Sequence, residues 1–479
     1  MNMHTNRRKI FFRADAGPEI GYGHFIRTLA LADMLKEDFD CVFYTQTPTD
    51  YQKREAAAVC PLVSLPADDS RFDLFLNQLS GDEIVVLDNY FYTTDYQRKI
   101  KEKGCKLVCI DDMHDKHYVA DVVINHGCDN PDLFDVEPYT RLCLGLDYAL
   151  LRKPFVEAKP AASREQGHVV VAFGGSDANN LTTKYAQILS QRDDINKITA
   201  IVGDAFQFTN ELENVPKVQI LRNLTAQQMA NLFCTVQFAV LSASTTCIEA
   251  LACQCPVYAG WYVENQKGMY DFLNSCRAII GIGNLLEDND SFLIKGVSAT
   301  TQTINSNQIV ALFKWLVLSN DFSIEHYRFV NYTQLDIPNQ GEIWRVRNLK
   351  EIRDCMVNTD EFSFEQHLAF VKSLVHNSEK IYWAIFDQNQ YVGTINLHPI
   401  NWKEKNAEWG IYIAPDFQGQ GVSEVLGKAF INKMRNQNLL NFIIASVKIS
   451  NPRSLKYHQK IGFAVYDETQ DYYFLRRDF

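Results

Sequence analysis

Short apolar, β-branched runs alternate with amphipathic stretches through the first part of the chain. Residues 9–13, 41–44, 83–88, 106–110 and 121–125 read as buried strands, and residues 27–35 and 95–103 between them carry apolar positions at helical spacing. Strands alternating with helices predict βαβ units and a parallel, doubly wound sheet, whose ligand crevice lies beyond the carboxyl ends of the strands. After a Lys- and Ala-containing stretch at 155–166 the alternation resumes, with strands expected at 168–173, 198–202, 218–220, 238–242 and 256–259. Two such halves joined by a linker predict a cleft between two Rossmann-like subdomains.

Beyond the polar run 331–341 the pattern changes near Glu342. A helix is followed by hairpin strands (381–387, 391–398, 407–413), a glycine-rich turn, a helix (423–434), a strand (441–447) and a final helix–strand pair. This is a mixed α+β unit of one small domain. The expected division is therefore 1–152 and 153–340 for the two Rossmann-like subdomains and 341–479 for the α+β domain.

A chain of 479 residues exceeds what one hydrophobic core supports, roughly 250–300 residues, so several domains are required. Its 46% hydrophobic and 22% charged residues are ordinary for a folded protein. A net charge of −11 argues against a nucleic-acid partner, because phosphate binding needs an excess of Lys and Arg. The polar, basic start (1–10) lacks the apolar core of a signal peptide, and no run reaches the ~20 apolar residues of a membrane span, so a cytoplasmic protein is expected. The 12 cysteines include no C-x-x-C pair. Cys105, Cys109, Cys143 and Cys234 lie among apolar residues and read as reduced, buried thiols. Cys253 and Cys255 lack the further ligands a metal would need.

The first strand runs into Arg13-Ala-Asp15-Ala-Gly-Pro-Glu-Ile-Gly21-Tyr-Gly23-His24-Phe-Ile-Arg27. Glycines at a strand-to-helix junction let the backbone approach a ligand, and a helix start favours negative charge. A histidine there is a candidate general base, since imidazole titrates near neutrality; it also fits a helix-capping loop. Gly174-Gly175-Ser176-Asp177 closes the first strand of the second half, where N–H groups and a hydroxyl can hold a phosphate. In Ser242-Ala-Ser244-Thr245-Thr246-Cys-Ile-Glu249-Ala250 the hydroxyls suit a diphosphate and Glu249 suits ribose hydroxyls. Serine and threonine there also read as plain helix caps.

Together with Leu87-Asp88-Asn-Tyr90, Ile110-Asp111-Asp112, Leu144-Gly145-Leu-Asp-Tyr148-Ala-Leu-Leu-Arg152 and Glu264-Asn265-Gln266, these segments, in order over residues 8 to 335, resemble one family. It is the UDP-2,4-diacetamido-2,4,6-trideoxy-β-L-altropyranose hydrolases of pseudaminic acid biosynthesis, which look like GT-B glycosyltransferases. The resemblance implies inverting hydrolysis at the anomeric carbon with UDP leaving. It makes His24 the residue that orients or deprotonates water, and Asp15, Tyr90 and Asn265 sugar-side contacts. Gly175, Ser176, Thr245, Thr246 and Glu249 become UDP contacts, with Gly23, Arg27 and Gln266 completing the substrate set. Ser244 stands where glycine is expected in relatives. UDP is a good leaving group, so stabilising its charge and steering one water suffices, and this chemistry calls for no metal.

The α+β region carries Ile411-Tyr-Ile413-Ala-Pro-Asp-Phe-Gln418-Gly419-Gln420-Gly421-Val422-Ser423 between a strand and a helix, which suits a coenzyme pyrophosphate. Asn451-Pro-Arg-Ser454-Leu-Lys-Tyr457-His458-Gln-Lys460-Ile-Gly462-Phe463 follows. Both resemble the motifs of GNAT acetyltransferases, with acetyl-CoA as cosubstrate. Ile413, the segment 418–423 and Asn451 are then coenzyme contacts. Many relatives place Tyr seven residues after the Asn; here that slot holds His458, preceded by Tyr457, and either can be the acid that protonates the thiolate. Glu408 is a candidate acceptor of the amine proton, or a solvent-facing carboxylate.

Joined to a hydrolase of this kind, the acetyltransferase is expected to resemble the enzyme that acetylates the 4-amine of UDP-4-amino-4,6-dideoxy-N-acetyl-β-L-altrosamine, the step that makes the hydrolase's UDP-sugar. The alternatives are a GT-B glycosyltransferase with an unrelated acetyltransferase, and a hydrolase with a non-catalytic acetyl-CoA-sensing domain.

Overall fold

The computed structural model describes residues 7–17, 21–287, 304 and 307–479. Pro18, Glu19 and Ile20 of the first glycine-rich loop, and most of the basic N-terminal stretch, lie outside the described residues. The chain divides into two compact units, Lys9–Gln308 and Ile309–Phe479, the latter with Met1–Arg8.

The first unit holds two parallel sheets. Strands β1 (Lys9–Ala14), β2 (Asp40–Gln46), β3 (Leu62–Leu65), β4 (Ile84–Asp88) and β5 (Lys106–Ile110) are followed by β6 (His117–Tyr118), β7 (Val122–Asn125), β8 (Asp135–Val136) and β9 (Arg141–Leu144). Seven of them form one sheet in the order β3-β2-β1-β4-β5-β7-β9, and β6 and β8 pair separately. The second sheet takes β10 (Glu165–Ala172), β11 (Lys197–Val202), β12 (Val218–Arg222), β13 (Val236–Ser242), β14 (Val257–Trp261) and β15 (Ile280–Asn284) in the order β12-β11-β10-β13-β14-β15. Both orders reverse beside the first strand of the sheet, so the topological switch points lie between β1 and β4 and between β10 and β13. Runs such as Val169, Val170 and Val171, all fully buried, are what a sheet covered on both faces requires.

The boundary expected at 152/153 is earlier in the packing. Leu142 and Leu144 lie against the first sheet's core, whereas Leu146, Ala149, Leu151 and Phe155 belong to the second sheet's core. Gly145, with φ 83°, stands at the changeover.

The second unit is one eight-stranded sheet of β16 (Phe322–Ile324), β17 (Tyr327–Asn331), β18 (Ile381–Asp387), β19 (Gln390–Asn401), β20 (Asn406–Ile413), β21 (Phe442–Lys448), β22 (Ala464–Glu468) and β23 (Tyr472–Asp478). The order is β16-β17-β18-β19-β20-β21-β23-β22. Its start differs from the expected 341: β17 pairs antiparallel with β18 from Tyr327↔Asp387 to Asn331↔Trp383, which draws 322–331 into this sheet. Polar residues there gave no strand pattern because β16 and β17 form a half-exposed edge hairpin.

None of the twelve cysteines forms a disulfide; Cys60 and Cys276 are half-buried and Cys355 is exposed. Among the described residues, no helix is long and apolar enough to cross a membrane.

Candidate active sites

In the first unit the loop after β1 is pinned by reciprocal backbone hydrogen bonds between Gly17 and Gly21. Gly21 takes φ 80°, a conformation that disfavours side chains. The helix Gly23–Leu35 starts immediately after, with His24 in its first turn and no side chain capping it. The helix-capping role considered for His24 is therefore not the one it plays. Its Nδ1 lies 2.7 Å from Asp88 Oδ1, at the end of the neighbouring strand β4. Arg27 Nη2 is also 3.1 Å from that nitrogen, but the carboxylate can only accept, so the shorter contact assigns the proton to Nδ1 and the lone pair to Nε2.

Arg27 does not present itself to a ligand, contrary to expectation. Its guanidinium donates from Nε to Asp88 Oδ2 at 2.7 Å and from Nη1 to Asp112 Oδ1 at 2.6 Å, and it is buried. Thr28 Oγ1 adds a bond to Asp88 Oδ2 at 2.7 Å. Burial alone would raise the Asp88 carboxyl, yet Arg27 and His24 hold it well below the usual carboxylate range. Burial likewise opposes, and Arg27 reverses, the shift of Asp112, which also lies low. Asp88 and Asp112, absent from the expected site set, are thus the groups that organise it. A carboxylate closing a buried strand beside the histidine loop was their signal in the sequence.

Asp15 departs from its expected role as well. It is fully buried, pairs with Arg13, and accepts from the Gln46 N–H at 2.8 Å. Its oxygens are taken up within the protein, so it shapes the loop rather than offering a free acceptor to a sugar.

Tyr90 remains accessible. Its ring meets His24 edge-on at 4.7 Å between centroids, and its hydroxyl donates to Asp112 Oδ2 at 3.1 Å. From the second subdomain, Asn265 Nδ2 donates to the Tyr90 hydroxyl at 3.3 Å. Gln266 Oε1 accepts from the Tyr262 N–H at 3.2 Å, steadying the start of the helix Glu264–Ser275.

At the second switch point, Gly174, Gly175 and Ser176 are exposed while Asp177 is buried. Asp177 accepts from the N–H groups of Leu181 and Thr182 at 3.0 and 2.7 Å, which anchors the loop to the helix Leu181–Ser190. Gly203 stacks behind the loop: a Cβ there would lie 2.7 Å from the Gly175 carbonyl oxygen. The helix Thr245–Ala252 has Ser244 at its N-cap without a side-chain cap bond, so the plain-cap reading of these residues fails. Thr245 and Thr246 are half-exposed at its start. Glu249 is corrected: it is buried, and Arg152 holds both its oxygens at 2.8 and 2.9 Å, so it ties the linker rather than offering a free acceptor to ribose.

In the second unit β20 and β21 pair in parallel only from Asn406↔Phe442 to Glu408↔Ile444. Past Glu408 the two strands part, leaving the 409–413 edge without β21 as partner. Side chains alternate across a strand, so Glu408, Gly410 and Tyr412 face one side and Trp409, Ile411 and Ile413 the other. His458 packs edge-on against Trp409 at 5.8 Å. The loop 418–421 is exposed, Gly419 and Gly421 take φ 79° and 80°, and Gly421 precedes the helix Val422–Gln437 without a side-chain cap. Val422 and Ser423 form its first turn, and Gln418 Nε2 donates to the Ile413 carbonyl at 2.9 Å. Asn451, expected at the coenzyme, uses its side-chain oxygen to cap the helix Pro452–Lys460 through the Ser454 N–H at 3.0 Å.

Tyr457 and His458 differ in what they can give. The Tyr457 hydroxyl donates to the Ser423 carbonyl at 3.0 Å, and burial, followed by Glu424, raises its pKa so that it keeps its proton. His458 Nδ1 lies 2.8 Å from the Ser454 carbonyl, to which it can only donate. Burial lowers the His458 pKa against that bond, leaving a neutral ring whose one proton is already engaged.

Comparison with known proteins gives each unit a relative. The profile described as "Acetyltransferase (GNAT) domain" matches residues 336–464. The acetyltransferase PseH of Campylobacter jejuni strain 81-176 is 33% identical over 146 residues, 30% of this chain and 88% of its own length. The UDP-2,4-diacetamido-2,4,6-trideoxy-beta-L-altropyranose hydrolase of Campylobacter jejuni is 25% identical over 281 residues, 55% of this chain and 96% of its own. An uncharacterized protein of Methanocaldococcus jannaschii is 28% identical over 282 residues, and this chain covers 57% of its length. A solved Campylobacter jejuni PseH in complex with acetyl coenzyme A is 31% identical, covers 32% of this chain and 98% of its own, and superposes with a TM-score of 0.26.

Proposed function

This chain belongs, through its C-terminal domain, to the PseH-type GNAT acetyltransferases, and from that premise we propose that it performs two consecutive steps of pseudaminic acid biosynthesis. The second unit transfers acetyl from acetyl-CoA to the 4-amine of UDP-4-amino-4,6-dideoxy-N-acetyl-β-L-altrosamine. The first unit then hydrolyses the resulting UDP-2,4-diacetamido-2,4,6-trideoxy-β-L-altropyranose with inversion, as the similarity to a hydrolase of that name supports.

The observation that carries the hydrolytic half is the Asp88–His24 pair. With Nδ1–H bonded to Asp88, Nε2 takes a proton from water as the water oxygen bonds the anomeric carbon and the C–O bond to UDP breaks. Asp88 steadies the imidazolium that forms. The departing diphosphate is met by exposed backbone at Gly174–Ser176 and by the uncapped helix start at Thr245 and Thr246. Tyr90 and Asn265 supply sugar-side hydroxyl and amide groups.

In the acetyl transfer, the amine attacks the thioester carbonyl from the Glu408 side of β20, Glu408 takes the amine proton, and the C–S bond breaks. Tyr457 gives its proton to the thiolate, because a phenol leaves a phenolate whereas the neutral His458 ring would have to leave an imidazolate. The loop 418–423 holds the coenzyme pyrophosphate.

Incubating the full chain with the 4-amino UDP-sugar, with and without acetyl-CoA, and following products by NMR tests both halves. Acetylated UDP-sugar appears first, then UDP and the inverted free sugar. UDP release that needs a second sugar acceptor would sink the hydrolase in favour of a glycosyltransferase. Failure to consume acetyl-CoA would leave the second unit a sensor.

A further inference from the structure

His126 is a further ionisable group beside the first site that the mechanism leaves unused. It follows β7 directly, at the carboxyl end of the sheet, where doubly wound folds bind ligands. Its neighbours on both sides fix its position. Asn125 Nδ2 donates to Asp111 Oδ2 at 3.0 Å, and Asn125 Oδ1 accepts from the Gly127 N–H at 2.9 Å. A Cβ on Gly127 would lie 3.0 Å from the Met269 side chain, so the backbone there touches the helix Glu264–Ser275 of the other subdomain, the same helix that sends Asn265 to Tyr90. His126 therefore sits where the two subdomains meet, among the charged groups Arg27, Asp112 and Asp88 that act on it.

The side chain is 2% exposed, and both ring nitrogens are buried without a hydrogen-bond partner among the described residues. Unpaired buried polar atoms are rare, so two on one ring call for a partner. Burial first, then the Arg27 charge, depresses the imidazolium to about 4, and the ring is neutral at working pH. A neutral imidazole offers one donor and one acceptor and no charge. That pairing fits a hydroxyl or an acetamido group and does not fit a phosphate.

Resting on the proposed hydrolase reading, we propose that His126 recognises an uncharged polar group of the sugar, a hydroxyl or an acetamido, and so sets specificity for the sugar half of the ligand while the second subdomain holds UDP.

The test is a calorimetric titration of the full chain carrying H24N, which keeps the ligand intact, with H126L or H126N added. H126L is expected to weaken the diacetamido UDP-sugar about tenfold and to leave UDP within about twofold. H126N, with a donor and an acceptor, recovers most of the loss. Unchanged UDP-sugar affinity in H126L overturns the inference. Parallel loss of UDP also overturns it, because that marks packing alone. Should H126L not fold, the His126 imidazole nitrogen resonances in the H24N chain replace it: a shift with UDP-sugar and none with UDP supports the role, and no difference between the two ligands overturns it. Repeating the titration with the 4-amino sugar separates the two sources, a larger penalty for the 4-acetamido form assigning the 4-acetamido and an equal one a group that both sugars carry, the hydroxyl or the 2-acetamido. Absence of UDP release by the unaltered chain would end the hydrolase reading yet leave these binding results interpretable.

Discussion

His24 and Asp88, 64 residues apart in sequence, are joined by a 2.7 Å contact between Nδ1 and Oδ1. Replacing Asp88 by Asn keeps the shape and removes the charge that fixes the ring. Hydrolysis in D88N is expected to fall on the order of 100-fold or more, with acetyl transfer by the same sample unchanged. Because Arg27 would lose the buried one of its two carboxylate partners, the thermal midpoint of the first unit should fall too. UDP release near the parent rate would remove His24 from the mechanism.

Tyr457 and His458 stand side by side, each with its one proton on a backbone carbonyl, and a phenol gives its proton up more readily than a neutral imidazole. Y457F is expected to lower the acetylation kcat by about 10²-fold while acetyl-CoA affinity stays within a few-fold. H458Q should cost less than tenfold. A steady-state comparison with the reverse order would make His458 the acid.

Gly203 lies behind the loop at Gly174–Ser176, and a methyl group on it would meet the backbone of Gly175 at 2.7 Å. Backbone cannot swing aside as a flexible side chain does, so G203A must displace the exposed loop at Gly174–Ser176. UDP affinity by calorimetry is expected to fall about tenfold, with the acetyltransferase unaffected. An unchanged UDP affinity would detach this loop from UDP binding.

Acidification should destabilise the first unit through His126. The unfolded side chain titrates near 6.5 and the folded one at about 4, so the unfolded chain takes up the proton first. Its contribution is complete above the unfolded value and is lost as pH falls from about 6.5 to 4, by roughly 3 kcal/mol at most. Urea unfolding of the first unit at pH 7 and pH 4.5 measures this, and H126L should flatten the difference. Asp88, held low, adds its own loss only below about pH 4.

The strands of both Rossmann-like sheets were legible because burial on both faces demands unbroken β-branched runs, as at Val169–Val171, and because His24, Gly175 and Thr245 stand at the ends of such runs. Strands β3, β9 and β15 were not: the exposed positions Val63 and Ser64 break the pattern of β3, and β9 and β15 are short strands at the edges of their sheets. The hairpin of β16 and β17 escaped for the same reason.

Partnership was harder to read than position. Arg27, Asp15 and Glu249 sit in motifs that look like ligand contacts, and their charges are answered from within the protein by Asp88 and Asp112, Arg13, and Arg152. Such pairings span up to 97 residues, and no local spacing encodes them. His126 was missed because an isolated histidine after a strand carries no pattern; only the lack of a hydrogen-bond partner for its ring among the described residues marks it.

Gly145 is the whole distance, along the chain, between the core of one sheet at Leu144 and that of the other at Leu146. A leash of one residue leaves the two faces almost no volume to explore when they separate. Any parting and return of the two faces is then a pivot about one residue rather than a diffusive search. Lengthening this leash, with every contacting side chain intact, would slow the return.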